Sequence, residues 1–408
     1  MVKHVAIVGG GISGLYAAHL LLKKYKDVRV NVYEAGSYWG GRVVTVNYDG
    51  EYLDSGAARF NKRHKLLWDL LKEFGMDKDT YKLSHDKTFV KDGKVVNVPT
   101  LKIINTAIER SKNETPRHLK AITFEMYMKE FMEDSVVDDV MMSFGYGLEF
   151  QNMNAFEAIR LFKGDFAGDV DYYVLIGGLS RLIYALVDSL RIRRCGLYLN
   201  APVVGCVSDG RGLMFNGSQT PTYFDHVYYC LTKNALLSIH GLVAGNVELS
   251  RSLETLGTGE LYRVFAKFPL DKKGRPWFHG LTKTTTNNML RTIIPLNFKT
   301  GLIMISYTDG EAARKWVNVE RVTRIRGMIG LLRKMFKKIE IPDPLWVKDY
   351  FWEEGIHYWK PGEITYKNNE ANYCICGEVV GGHGWIEGGL VSVAGAINRH
   401  RSDRYAIV

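Results

Sequence analysis

The sequence predicts an α/β protein of two domains, one Rossmann-like on a parallel sheet and the other mixed α+β. Three observations predict this. A short β-branched run, a glycine-rich turn, an amphipathic stretch and a second apolar run follow one another before Glu34, the order of a βαβ unit. Residues from about 81 to 175 change character, to a hairpin signal and amphipathic helices. Glycine is in excess, at 41 of 408 residues, and proline is scarce at 10, which suits backbone that must approach a ligand closely at several places. The length allows two or three domains, and 46% hydrophobic with 24% charged residues excludes disordered, collagen-like and low-complexity classes.

Val5 to Val8 reads as a buried parallel strand and leads into Gly9-Gly10-Gly11-Ile12-Ser13-Gly14. Leu15, Ala18 and Leu22 recur at helical spacing, and Val28 to Tyr33 supplies a second strand ending in Glu34. Gly9 permits the tight turn, Gly11 lets backbone approach a pyrophosphate, and Gly14 lets helix and strand pack closely. The helix start, where Ser13 lies, offers free N–H groups to phosphates. Glu34 is placed to accept from ribose hydroxyls, which a 2′-phosphate would prevent. A lone glycine motif is weak, but here strand, glycines, helix, strand and acid occur together, so Gly9, Gly11, Ser13, Gly14 and Glu34 are candidates for a Rossmann-like dinucleotide site.

Trp39-Gly40-Gly41-Arg42 and Tyr52-Leu53-Asp54-Ser55-Gly56-Ala57-Ala58-Arg59-Phe60 follow. These residues resemble the flavin-containing amine oxidases: monoamine and polyamine oxidases, L-amino-acid oxidases and their relatives. The resemblance implies FAD as cofactor, with Arg42 on its pyrophosphate and Gly56, Ala57 and Arg59 among the cofactor-binding residues, and a discontinuous FAD-binding domain of 1–80, 176–235 and 345–408 beside a substrate-binding domain of 81–175 and 236–344. The short cut of the chain and its Gly-Ala-x-Arg-Phe motif are also similar to homologues from large DNA viruses.

The middle reads as a hairpin around Asp92-Gly93 and as amphipathic helices over Thr123–Met132 and Asn154–Phe162. Met126, Met128, Met132, Met141, Met142 and Met153 cluster there, as adaptable core filler or as a flexible apolar substrate wall. Ile176-Gly177-Gly178-Leu179 opens another helix, and Leu199 to Val207 resembles the strand whose valine, here Val203, meets adenine through its backbone. Phe224 to Cys230 resembles the later strand that closes the FAD domain. In Glu260 to Phe268, alternation puts Leu261, Arg263, Phe265 and Lys267 on one strand face. The family holds a water near flavin N5 with a lysine on this strand, so Arg263 and Lys267 are the catalytic candidates, with a plain surface cation as the other reading of each.

Towards the C-terminus, Trp352 to Gly362 resembles the segment that carries an aromatic wall of the substrate cage. His357, Tyr358 and Trp359 are its candidates, His357 also being a catalytic one; filling a domain seam is the structural alternative. Ile356 stands about where monoamine oxidases carry a flavin-linked cysteine, which implies non-covalent FAD. Tyr373 to Glu378 and Gly384 to Gly389 resemble the strand and turn that meet the flavin, adding Gly377, Glu378, Trp385 and Ile386 to the cofactor set. An acid at a strand end can accept from ribityl hydroxyls, and a helix start at Ile386 can stabilise negative charge on the reduced ring.

The implied function is oxidation of an amine or L-amino acid, with oxygen as acceptor. Arg59 is the sharpest substrate clue, because L-amino-acid oxidases grip the substrate carboxylate with an arginine in a similar motif; an ion pair with Asp54 or Glu387 is the bland alternative. Two other classes stay open: a flavin-dependent dehydrogenase or desaturase of an apolar isoprenoid or porphyrinogen, and a flavin-bound protein that works through its basic surface. The net charge of +10 favours anionic partners without naming one. A basic helix at Val319–Ile341, with Ile325, Met328, Ile329 and Leu332 inward and Arg324, Arg333, Lys334, Lys337 and Lys338 mostly outward, joins Arg191–Arg194 and Arg399–Arg404 as places for a polyanion. Cys195, Cys206, Cys230, Cys374 and Cys376 make an odd set in strand-like runs, and Cys374-Ile375-Cys376 has the wrong spacing for zinc. No metal is called for, and a reduced, intracellular setting is expected, with no signal peptide, no membrane span and no room for the monoamine oxidases' membrane tail. A homodimer is left open.

Overall fold

A computed structural model describes residues 2–166, 170–207, 209–362, 368, 370–381 and 385–403. Its first sheet has five strands in the order Gly196–Tyr198, Val28–Tyr33, Lys3–Val8, His226–Tyr229, Tyr373–Ile375, every pair parallel. Strands buried on both faces read as continuous apolar runs, and Val5, Ala6, Ile7 and Val8 are all buried. The helices Ile12–Lys24, Ser180–Ile192 and Trp385–Asp403 cover one face, locking Leu15, Ile183, Leu186 and Leu390 into one core. Widely separated parts of the chain thus build one sheet, and their loops gather at the carboxyl ends of its strands.

The second sheet has seven strands, in the order Trp346–Trp359, Leu256–Lys267, Leu302–Asp309, Thr292–Asn297, Lys283–Thr286, Lys87–Lys91, Lys94–Val95. Its pairs are antiparallel except Lys283–Thr286 with Lys87–Lys91, which run parallel. Strand alternation divides its side chains. Tyr262, Val264, Ala266, Ile303 and Ile305 pack with Met328, Ile329 and Leu332 of the helix Arg321–Met335. Phe265, Met304 and Tyr307 pack on the opposite face, against the helical layer that contains Phe124–Lys129 and Ala155–Leu161.

The predicted hairpin forms with Asp92 and Gly93 both at positive φ, 53° and 77°, the geometry a two-residue turn needs to match strand twist. Of the methionines, Met128, Met141 and Met153 are buried in the helical core, Met132 and Met142 pack against it, and Met126 is exposed. The basic helix spans Arg321–Met335, shorter than expected, because Glu320 caps it by accepting from the Val322 and Thr323 amides. Arg324 faces inward, contrary to expectation. It pairs with Asp349 at 2.9 Å and lies over the Tyr262 ring, so a buried carboxylate on the sheet overrides the outward-cation pattern. Arg333, Lys334, Lys337 and Lys338 are exposed. All five cysteines are free thiols, and Cys374 and Cys376 are buried. Among the described residues no helix is long and apolar enough to cross a membrane. Gly384 lies outside the described residues, as do the side chains of Arg401 and Arg404.

Candidate active site

A cavity of about 720 Å³ lies between the carboxyl ends of the parallel strands and the long antiparallel sheet. That is where ligands sit in open parallel sheets. Gly9, Gly11, Ser13, Glu34, Gly377 and Glu378 reach it from the parallel sheet, and Val203 from a small flanking sheet. Arg42, Gly56, Ala57 and Arg59 line it from the segment after the second strand, and Trp385 and Ile386 from the start of the last helix. Leu261, Arg263, Tyr307 and Asp309 line the antiparallel side. Gly14 sits behind the turn: a Cβ there would collide with the Gly9 carbonyl, so it serves close packing.

The turn is shaped for close backbone approach. Gly11 is the extended residue before the helix Ile12–Lys24, and no side chain caps that helix start, so its first N–H groups stay available. A Cβ on Gly11 or on Gly377 would meet no atom nearer than 3.9 Å and would project into the cavity. Glu34 is fixed at the rim, its two oxygens accepting from the Gly10 and Gly36 amides at 2.7 Å each.

Behind this rim lies a charged relay. Arg42 donates to Glu378 at 2.6 Å and to the Gly355 carbonyl at 3.0 Å. His357 is wholly buried. Its Nε2 accepts from the Lys233 amide at 3.1 Å, which leaves Nδ1 carrying the hydrogen that it donates to Glu378 at 2.9 Å. His357 therefore orients Glu378 and does not line the cavity, contrary to its expected place in a substrate wall. Tyr358 and Trp359 also miss the cavity and fill two separate cores. The strand passes the cavity earlier, at Trp352–Ile356, and a register shift opposite Gly259–Leu261 precedes its entry into the interior.

The two catalytic candidates part company. Arg263 is buried at the cavity wall, donating to the carbonyls of Asp54 (2.8 Å) and Gly56 and lying over the Tyr307 ring. Lys267 is four residues further along, about 13 Å at strand rise. It is spent on a surface pair with Asp49 at 2.7 Å and Glu51 at 3.5 Å.

Arg59 donates to the Tyr146 hydroxyl at 2.7 Å, with the rings of Tyr146, Tyr172 and Trp385 within 6.0 Å of its Cζ. No carboxylate pairs with it among the described residues. Asp54 accepts instead from Thr45 (2.6 Å) and the Leu179 amide (3.3 Å), and Glu387 caps the helix Lys65–Glu73 through the Leu66 and Leu67 amides.

Sequence reasoning missed Tyr146, Tyr307, Glu149 and Asp309, which line the cavity. Asp309 ends an otherwise apolar run, Leu302–Asp309, and accepts from the Gly147 and Leu148 amides at 2.8 and 3.0 Å. Burial and the neighbouring Glu149 push it up to about 6. An acid closing a buried strand was the available signal. Lys283 opens the strand Lys283–Thr286, with its Nζ 5.3 Å from the centre of the Tyr146 ring.

A sequence profile described as flavin containing amine oxidoreductase matches residues 12–365. The chain belongs to the flavin-containing amine oxidoreductase family. The cyclohexylamine oxidase of Brevibacterium oxydans IH-35A superposes with a TM-score of 0.80 at 18% identity, over 99% of each chain, a likeness of fold. Curated relatives match over shorter stretches. Coproporphyrinogen III oxidase of Staphylococcus aureus is 28% identical over 24% of this chain and 23% of its own length. The L-amino acid oxidase Lm29 of Lachesis muta is 35% identical over 22% of this chain and 18% of its own.

FAD, non-covalently bound, is the cofactor of this oxidoreductase, and the cavity fits it. Gly11 and Gly377 leave room for a ligand against bare backbone, and the buried Arg263 Nε and Trp385 Nε1 have no hydrogen-bond partner among the described residues. Such orphaned donors at a cavity are otherwise costly.

Proposed function

We propose that this oxidoreductase removes two hydrogens from an amine that carries a carboxylate, in the manner of an L-amino-acid oxidase. The observation that carries the reading is Arg59, lining the cavity beside Trp385 and Ile386 with no carboxylate among the described residues to neutralise it. Its guanidinium can take the substrate carboxylate through paired N–H donors. Gly9, Gly11, Ser13 and Arg42 would hold the FAD pyrophosphate, Glu34 the ribose, Val203 the adenine, and Gly56, Ala57, Gly377, Glu378, Trp385 and Ile386 the remainder. When bound, FAD supplies the hydride acceptor.

The chain's own residues then do four things. Arg59 orients the substrate. Tyr146, Tyr172 and Trp385 wall its guanidinium with aromatic surface and keep water away. The first N–H groups of the helix Trp385–Asp403 would offer positive charge to the flavin ring, which gains negative charge on reduction. Arg263 holds the Asp54–Gly56 backbone in place. Overall the substrate loses one C–H and one N–H hydrogen to become an imine, which takes up water to give a carbonyl and ammonia. Oxygen takes the two electrons and two protons and leaves as peroxide.

An isoprenoid, which has no carboxylate, would need apolar wall where Arg59 stands. A peroxide-coupled screen of amino acids, monoamines and polyamines on the FAD-loaded protein tests the proposal, and peroxide from none of them would overturn it. Arg59→Ala should raise KM for carboxylate-bearing substrates by about tenfold to a hundredfold, the scale of a lost charged hydrogen bond. An equal rise for monoamines would count against it.

A further inference from the structure

We propose that Cys230 and Cys376 are a site of reversible oxidation at the cofactor cradle: hydrogen peroxide closes them into a disulfide in the flavin-free chain, and bound FAD keeps them reduced. The pair sits against the cofactor's place and is independent of which substrate the enzyme takes.

The two cysteines lie side by side at the carboxyl ends of neighbouring parallel strands. His226–Tyr229 runs beside Tyr373–Ile375 with Tyr229 opposite Ile375, and the next residue of each strand is a cysteine. The Cys376 amide donates to the Tyr229 carbonyl at 2.8 Å, so the pairing carries on to these residues. Partners in register on adjacent strands turn their side chains to the same face. Both thiols accordingly pack in the core covered by the helices Ile12–Lys24 and Trp385–Asp403, where a hydrogen bond joins them. Neighbouring strands run about 4.8 Å apart, inside the roughly 4.4–6.8 Å that a disulfide spans between Cα atoms. The contact with Cys230, together with burial, holds the Cys376 thiol well above the usual thiol range. Cys230 is the partly exposed member and lines the cavity, so it is the thiol that a small solute meets first.

The chemistry has two steps. The Cys230 thiolate attacks one oxygen of hydrogen peroxide, and an S–O bond forms as the O–O bond breaks and hydroxide leaves. The Cys376 sulfur then attacks the Cys230 sulfur; the S–S bond forms, the S–O bond breaks, and the Cys376 proton leaves with the hydroxyl as water. In all, two thiols and one peroxide give one disulfide and two waters. The bond bears on the cradle because the residue after each cysteine, Leu231 and Gly377, lines the cavity, and Glu378 beyond Gly377 accepts from Arg42. A disulfide holds its Cβ atoms about 3.8 Å apart, about 1 Å less than the strand spacing, so closing it draws these strand ends together. FAD lying over Cys230 would shut peroxide out and hold the strand ends in their open spacing. By reciprocity the disulfide weakens FAD binding.

The test treats the full chain with hydrogen peroxide, flavin-free and FAD-loaded, then blocks remaining thiols with iodoacetamide and maps the peptides by mass spectrometry. The flavin-free protein should yield a peptide pair joined through Cys230 and Cys376 that dithiothreitol separates. With FAD at about 100 times its Kd, the joined pair should form about a hundredfold more slowly, in proportion to the chain left without flavin. Fluorescence titration should show the oxidised protein binding FAD about tenfold more weakly, the scale of one lost hydrogen bond in the cradle, and dithiothreitol should restore the affinity. Cys230→Ser and Cys376→Ser should each abolish the joined pair and make FAD affinity indifferent to peroxide, whereas Cys195→Ser should leave both responses as in wild type. Conversion of Cys230 to a sulfinic acid with no link to Cys376, or a disulfide joining other cysteines instead, would overturn the pairing. A link that forms as fast with FAD bound, or that leaves FAD affinity unchanged, would overturn the coupling to the cofactor. If either serine variant does not fold, the wild-type peptide map and its dependence on FAD still decide.

Discussion

His357, Arg263 and Lys267 all read as reactive groups from sequence, and their surroundings give them different work. His357 is a positioning residue: with its ring fixed between the Lys233 amide and Glu378, removing it leaves a buried carboxylate with one donor fewer. His357→Phe should weaken FAD binding by about tenfold to a hundredfold, the scale of one buried charged hydrogen bond. Fluorescence titration of the flavin-free protein checks this, and unchanged FAD affinity would remove the positioning role. Arg263 and Lys267 give a contrast. Lys267→Ala breaks only a solvent-screened surface pair and should leave kcat untouched. Arg263→Met frees the Asp54 and Gly56 carbonyls at the cavity wall and should lower kcat, because the segment that carries Ala57 and Arg59 loses its tether. If Lys267→Ala proves the more damaging in steady-state kinetics, the assignment of these two residues is wrong.

The helix Arg321–Met335 shows an element held by one buried ion pair as well as by apolar packing. Arg324 and Asp349 are 9% and 10% exposed at their side chains, and Asp349 also accepts from Tyr262 at 2.8 Å. Breaking a buried pair from one side costs about 3–5 kcal/mol when the remaining charge has no other partner; here Arg321 still donates to Asp349 at 2.8 Å, so the cost of losing Arg324 falls below that. Arg324→Ala should still lower Tm by a few degrees, whereas Arg333→Ala, whose partner Asp343 is exposed, should change it little; differential scanning calorimetry of the two variants separates them. Periodicity could not place Arg324, because the acid that claims it lies on a strand 25 positions away. The same division runs through the site. Gly9, Gly11, Gly14 and Glu34 were legible because strand, turn and helix place them by local rules, and Arg42 and Glu378 through their resemblance to the family's motifs. Tyr146 and Asp309 were not, because only long-range packing brings them together. Tyr358 and Trp359 misled because a register shift in the longest strand pair displaced the cavity-facing stretch to Trp352–Ile356.

Taken as a whole molecule, the protein places several charges at its centre in forms they do not favour in water, and stability should report them. Asp54 and Asp309 are each pushed up to about 6, chiefly by burial. Between about pH 4 and 6 the folded chain then holds protons that the unfolded one has lost, so these groups make stability fall as pH rises through that window. Lys283 is lowered to about 7 by burial and Arg59, and Lys87 to about 8 by burial and Lys283. Between about pH 7 and 10 the unfolded chain holds the extra protons, so the two lysines make stability rise with pH there. The urea midpoint of the FAD-loaded protein should accordingly climb from pH 7 to pH 9. Lys283→Gln should flatten that climb, since an uncharged amide carries no proton to lose. A climb equally steep in wild type and variant would mean that Lys283 is solvated in the folded protein.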